Sequence, residues 1–190
     1  MSWRRRPERV PALPAQVREG LALRRGERVL AHCERADGGW AIATSVALVL
    51  VDAIDGPLHG PGTPSARRLW HDVAEATWDP DTTAVQIRWV DAARSTILLA
   101  DPVGHLPQVL RERVMSTYVL SQRLPVRGRR GVTVAVRRHA VEGTLFTQVV
   151  ADDGVSTARP EVADQVAALT RDLAEQAGLA PDVRSAPRTC

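Results

Sequence analysis

Lysine and asparagine are absent from this chain, and all 25 of its basic residues are arginine. Without lysine there is no Schiff-base chemistry and no lysine to complete a phosphate-binding loop. Two cysteines, Cys33 and Cys190, are too few for a disulfide framework or a structural zinc site and fit a reducing, cytoplasmic setting. Phe and Tyr occur once each. The missing residue types have AT-rich codons, and the abundant Ala, Val, Gly, Pro and Asp have GC-rich ones. A GC-rich bacterial genome therefore accounts for the bias, and an arginine cluster is partly what any basic position becomes in such a genome.

Long apolar runs are also missing. The longest stretch without charge, residues 38–51, is "GGWAIATSVALVLV". It falls short of the roughly 20 apolar residues that cross a bilayer as a helix, and Thr44 and Ser45 interrupt it. The basic start "MSWRRRPERV" is followed by "PALPAQVREG" rather than an apolar core, so no export signal is expected.

What is present is a globular composition: 190 residues, 44% apolar, with a net charge of only +3. That is room for one domain, or one domain with an appendage. A duplex-binding domain usually concentrates more positive charge.

Residues 1–24 read as a basic arm followed by a short helix, "PAQVREGLAL", whose Val17, Leu21 and Leu23 are placed to touch the main body. Strand-like segments then crowd together: 27–35, 40–45 after the turn "ADGG", 46–53, "RRLW" at 67–70, 72–79, 84–90 and 95–101. "AVQIRWV" alternates cleanly, with Val85, Ile87 and Trp89 on one face. The uncharged second and third strands imply burial on both faces or along a closing barrel seam. From Pro107 the period changes. Leu106, Val109, Leu110, Val114, Thr117 and Tyr118 recur at three- and four-residue spacing, which predicts an amphipathic helix ending near Gln122 and Pro125. A ββα unit is expected at 125–180: strands 131–139 and 144–152, then a helix from Pro160 carrying Val162, Val166, Leu169 and Leu173 on one side. It is expected to pack on the preceding strands, since so small a unit is marginal alone. Residues 181–190 read as a flexible tail.

The order of these features, with "GWAIATSVALVLV" followed by a glycine-rich connection and "RRLWHDVAEATWD", resembles the bacterial pleckstrin-homology and GRAM-like domains over about residues 25–122. The positions that carry the resemblance are Trp40, Ala43, Thr44, Leu48 and Leu50, then Leu69, Trp70, His71, Asp72 and Val73. It implies an α+β, mainly β fold: a seven-stranded antiparallel barrel over 25–124 closed by an amphipathic helix, with the ββα unit added. Its expected core includes Trp40, Thr44, Leu48, Leu50, Trp70, Trp78, Ile87, Trp89, Leu110 and Val114. The whole chain also resembles a group of actinobacterial proteins, which implies no particular activity.

Phosphoinositide-binding members of that family carry a basic first hairpin. Here the loop is "ERADGG", with Arg35 between Glu34 and Asp37, so headgroup binding there is not expected. Other basic stretches are Arg4, Arg5 and Arg6 beside Trp3, and Arg127, Arg129 and Arg130, followed by Arg137 and Arg138. They are candidates for contact with anionic lipid or RNA phosphates, or plain solvated arginines. His32 and Cys33 are neighbours on one strand and point to opposite faces; His71 and Asp72 meet the same objection. No catalytic, cofactor or metal motif is evident.

The expected function is a non-catalytic cytoplasmic adaptor or scaffold recognising a protein partner. Its candidate recognition element is the 54–66 loop with its flank: Leu58, His59, Arg67 and Arg68. The alternative is peripheral binding of anionic lipid or RNA through Arg4–Arg6 and Arg127–Arg130. A self-assembling structural protein is the third possibility.

Overall fold

The computed structural model describes residues 12–53, 64–100 and 105–179. The expected sites at Arg4, Arg5, Arg6, Leu58 and His59, and the expected tail at 181–190, lie outside these residues. The chain divides into two compact units, Met1–Val114 and Met115–Cys190. It is mainly β, with three antiparallel sheets and three α-helices among the described residues.

The first unit begins with α1 (Ala15–Gly20), followed by β1 (Val29–Glu34), β2 (Trp40–Thr44), β3 (Ala47–Val51) and β4 (Pro64–Leu69). A 3-10 turn at Trp70–Asp72 leads to β5 (Val73–Asp79), β6 (Ala84–Trp89) and β7 (Arg94–Leu98), and α2 (Leu106–Met115) follows. The seven expected strands are present, but they do not form one closed barrel. They make a four-stranded sheet, β1-β2-β3-β4, and a three-stranded sheet, β5-β6-β7. The 3-10 turn separates β4 from β5. Asp72 holds that turn by accepting the Leu69 N–H at 3.1 Å, so His71 and Asp72 are not strand residues as expected. The two sheets meet where β1 and β7 end, through a bridge between Arg35 and Leu99 and the bonds Ala36 N–H to Leu98 O and Ala100 N–H to Glu34 O, both 2.9 Å.

The β2–β3 hairpin is buried on both faces, and α1 is the reason on one of them. Ile42 lies opposite Val49, and Trp40 opposite Val51. Together with Ala47 they form a cluster with Val17 and Leu21 of the α1 region, and Leu13, Leu23, Val29, Val46 and Leu69 pack around it. The other face carries Ala41, Ala43 and Leu48, also buried. Thr44 survives at the hairpin end because its Oγ1 is saturated: it donates to Ala47 O at 3.1 Å and accepts the N–H groups of Val46 and Ala47 at 3.2 and 2.9 Å. A buried hydroxyl with no such partners would be destabilising. Trp70 is buried with its indole N–H donating to Thr44 O at 2.9 Å, and Trp89 is buried with its N–H on Ser95 Oγ at 2.8 Å.

Of the expected core, Thr44, Leu48, Trp70, Ile87, Trp89, Leu110 and Val114 are buried. Trp40, Leu50 and Trp78 are only half-buried. Trp40 starts β2 beside the β1–β2 turn and Trp78 sits beside the turn that ends β5, so neither ring is enclosed on all sides.

The second unit contains β8 (Tyr118–Arg127), β9 (Arg130–Arg138), β10 (Leu145–Ala151) and α3 (Pro160–Gln176). Two expectations are corrected here. The helix does not run to Gln122: α2 stops at Met115, and Tyr118–Gln122 belongs to a strand. The added unit is therefore βββα, in sheet order β10-β9-β8, rather than ββα. Thr117 and Tyr118 continue the helical spacing by coincidence. From Tyr118 onward the half-buried residues are mainly the alternate ones, Leu120, Leu124 and Val126, which is a strand period. Pro125 is tolerated because β8 is an edge strand with a register shift there. Helix α3 lays Val162, Val166 and Leu173 against Val132, Val134 and Val136 of β9, with Leu169 half-buried beside them.

Leu21→Ala should destabilise the chain by about 2–5 kcal/mol, because Leu21 is only 1% exposed and ties α1 to the hairpin. Urea unfolding of the variant against the parent checks it. A change near zero would mean that α1 does not cover the sheet in solution.

Candidate functional site

With 25 arginines in the sequence, the useful distinction is between guanidinium groups engaged inside the fold and groups facing solvent with no carboxylate. Most of the arginines of the first unit's strands are engaged. Arg35 pairs with Asp37 and, at 3.3 Å, with Asp52, and also reaches Val51 O at 3.4 Å. The first hairpin therefore holds its arginine internally. Arg67 and Arg68, expected at the flank of a recognition loop, both sit on β4 and are also engaged. Arg67 pairs with Glu27 and donates to Leu21 O at 3.3 Å. Arg68 pairs with Asp91 and lies 4.6 Å over the Trp89 ring. Arg88 pairs with Glu75 at 3.4 Å.

In the second unit Arg137 is fully buried. Its Nε donates to Thr117 Oγ1 at 3.0 Å, its Nη1 donates to Gln148 Oε1 at 2.9 Å, and the guanidinium lies 4.1 Å over the Tyr118 ring. It belongs to the packing of the sheet, not to an exposed cluster. Arg138 is exposed and donates to Gly143 O at 3.3 Å.

Arg18, Arg111, Arg159 and Arg171 are exposed singly, and in two places exposed arginines gather in threes. One is the β8–β9 hairpin. Arg127 pairs with Arg130 across a two-residue turn, Gly128–Arg129. Gly128 has φ +58°, the left-handed value that glycine adopts cheaply and that tight hairpins need. Arg127, Arg129 and Arg130 are all exposed. Arg130 reaches a backbone carbonyl, Asp153 O, at 3.3 Å, but none of the three pairs with a carboxylate among the described residues. The neighbouring Asp152 pairs with Arg123 instead and accepts the Gly131 N–H at 2.8 Å. Arg123 also donates to Arg129 O at 2.9 Å. The turn is thus braced from below while its three charges face outward.

The other place is "RRGER", residues 24–28, between α1 and β1. The Glu27 N–H donates to Arg24 O at 2.9 Å to close a tight turn, and Gly26 sits at φ +82°. On paper Glu27 dilutes the three arginines. In the fold it turns inward: its side chain is 1% exposed and its charge is taken by Arg67. Burial alone would raise its pKa. Hydrogen bonds from Arg67 and the Arg24 N–H, together with the Arg67 charge, outweigh that effect and hold the carboxyl below its ordinary range. Arg24, Arg25 and Arg28 remain exposed, with no carboxylate partner among the described residues. Beside them lies an open groove of about 340 Å³ lined by Ala12, Leu13, Arg18, Val29, Leu30 and His32. Leu30 is 41% exposed.

The histidines show less. His32 and Cys33 lie opposite Ile42 and Ala41 respectively, hence on alternate faces. Burial lowers the His32 pKa, and its ring packs edge-on against Trp40 at 5.8 Å. His71 Nε2 lies 3.8 Å from Asp72 Oδ1, a contact made within the 3-10 turn. No group of three His, Cys, Asp or Glu residues suited to a metal ion occurs among the described residues, and no helix there is long and apolar enough to cross a membrane.

No family model matches the chain, and no curated protein matches it in sequence. Among solved structures, the complex of the FERM and C-terminal domains of Drosophila Merlin aligns at a TM-score of 0.33 and 18% identity, over 47% of this chain and 28% of that one. At that score the likeness carries no argument about fold or function.

The Glu27–Arg67 pair has a measurable signature. A carboxylate whose folded pKa is depressed contributes stability above its unfolded pKa and loses it as pH falls through the folded value. Arg67→Met strands the buried carboxylate and should cost on the order of 3 kcal/mol near neutral pH. The gap from the parent should shrink as pH falls toward and through 4.5, the ordinary carboxyl value, because the variant's stranded carboxyl protonates first. Thermal melts of both proteins from pH 7 to pH 3 check it; a gap that stays constant would show that the pair is not ionised in the fold.

Proposed function

We propose that the protein is a non-catalytic module that attaches peripherally to an anionic phospholipid surface on the cytoplasmic side of a membrane. The observation that carries this reading is the exposure of the guanidinium groups in two glycine-containing turns, Arg127/Arg129/Arg130 and Arg24/Arg25/Arg28, with no carboxylate partner among the described residues. Arginine suits phosphate because its planar fork donates two parallel hydrogen bonds and its charge never titrates. Each arginine near an anionic leaflet contributes about 1 kcal/mol. One cluster gives roughly 3 kcal/mol, so weak, salt-sensitive attachment is expected. Exposed Leu30 and the groove with Leu13 and Val29 favour lipid over RNA, since they add apolar surface beside the charge. Neither turn carries an aromatic side chain on which a base would stack.

The first unit is read as a pleckstrin-homology-like platform. What supports this is its strand order, a four-stranded antiparallel meander followed by a three-stranded one and then a helix. The adaptor reading, with a protein partner held through Leu58, His59, Arg67 and Arg68, has less behind it. Both of its arginines are engaged internally.

Vesicle co-sedimentation tests the proposal. Phosphatidylserine-rich vesicles should bind the protein at low salt and release it at high salt, while phosphatidylcholine vesicles should not bind it. Replacing Arg127, Arg129 and Arg130 by Gln, or Arg24, Arg25 and Arg28 by Gln, removes about 3 kcal/mol of attraction from that cluster; at least one of the two replacements should weaken binding by tenfold or more. Absence of binding to anionic vesicles at low salt overturns the reading. Binding to a homopolymeric RNA but not to vesicles replaces it with the RNA alternative.

A further inference from the structure

Among the described residues, the two sheets of the first unit and the single sheet of the second end in six edge strands: β1, β4, β5, β7, β8 and β10. An exposed edge offers unpaired N–H and C=O groups to any extended chain, and folded proteins usually guard it with charge, proline or a bulge. Five of the six are guarded in this way. Strand β1 carries Glu34 and a register shift, and β4 carries Pro64, Arg67 and Arg68. Strand β5 has Glu75, Asp79 and a register shift, and β7 has Arg94. Strand β8 has Arg123, Pro125 and Arg127 with two register shifts. Strand β10, "LFTQVVA", has none of these devices. It contains no charge, proline or glycine, and its register with β9 is unbroken from Leu145 to Ala151.

The free edge of β10 can be assigned residue by residue. The bonds Asp152 N–H to Gly131 O at 2.9 Å and His139 N–H to Thr144 O at 2.7 Å fix the phase of the ladder with β9. Even-numbered residues direct their backbone groups at β9, so those of Leu145, Thr147, Val149 and Ala151 point away from it. None of these four has a hydrogen-bond partner on that side among the described residues. Val149 is 40% exposed.

We propose that β10 pairs antiparallel with β10 of a second copy of the chain, across a two-fold axis at Gln148. Outward-facing residues must meet outward-facing residues. This places Leu145 opposite Ala151 of the partner subunit, and Thr147 opposite Val149 of the partner subunit. Each such pair exchanges two hydrogen bonds, and no charged side chains are brought together. One contact satisfies the open edge of both copies, which is the self-complementary geometry of a two-fold dimer. A foreign strand would have to match the same uncharged row by its own sequence, whereas a second copy matches it by symmetry. A single strand pair covers less than the roughly 800 Å² per partner of a standard stable interface, so the dimer is expected to dissociate on the order of micromolar concentration. The inference is independent of the lipid-attachment reading.

Sedimentation equilibrium of the full chain from about 1 to 100 µM tests it, bracketing the expected Kd. A monomer–dimer equilibrium is expected. Val149→Lys places a charge on the open edge and should raise Kd roughly tenfold or more, with the circular dichroism spectrum unchanged. Thr147→Pro is the second variant: it removes an outward N–H that β9 does not use. The amides of Leu145, Thr147 and Val149 should exchange more slowly at high than at low protein concentration. A monomer throughout the range overturns the proposal. So does a dimer that neither substitution weakens and in which those amides exchange freely.

Discussion

The β2–β3 hairpin has no polar face, and much of the first unit follows from that constraint. A sheet segment that alternated apolar and polar residues could leave one side to water. This one cannot, because Ile42, Val49 and Val51 face one way and Ala41, Ala43 and Leu48 the other, all of them buried. Something must lie on each side. On one side it is α1, a helix of only six residues, far too short to be stable in isolation. It exists because the hairpin needs a cover. The Glu27–Arg67 pair then fastens the chain leaving α1 to strand β4, using a buried carboxylate that would be destabilising without its partner.

That fastening shapes the surface. Drawing Glu27 inward removes the one negative charge from the turn between α1 and β1 and leaves three arginines outside. A packing requirement in the interior thus determines the electrostatics of an exposed turn several ångströms away. The hairpin between β8 and β9 reaches a similar result differently: Asp152 is occupied by Arg123 and by a backbone N–H, so it does not neutralise the tip.

Much of the secondary structure was legible in the sequence, because hydrophobic period and turn residues act locally. All seven strands of the first unit, the β9–β10 hairpin and α3 follow from alternation, glycine-containing turns and proline at a helix start. The misreadings have physical causes. Tyr118 falls at helical spacing after Val114 and also opens the alternation of β8, and a single chain position cannot reveal which period wins when β9 is available to pair. The lack of closure was not legible because it depends on β4 and β5 failing to pair across the 3-10 turn at Trp70–Asp72, which is set by a side-chain cap. The arginines were the least readable of all. Arg67 and Arg137 look like their exposed counterparts in the sequence, and only tertiary packing separates a guanidinium that holds the fold together from one that faces water.

The exclusive use of arginine in both exposed turns has a regulatory consequence. A guanidinium keeps its proton at any pH a cell reaches, and a surface without lysine has no ε-amino group to acetylate. Neither acidification nor acylation can switch these clusters off. In the proposed attachment, control is left to the ionic strength of the medium and to the charge density of whatever the clusters meet.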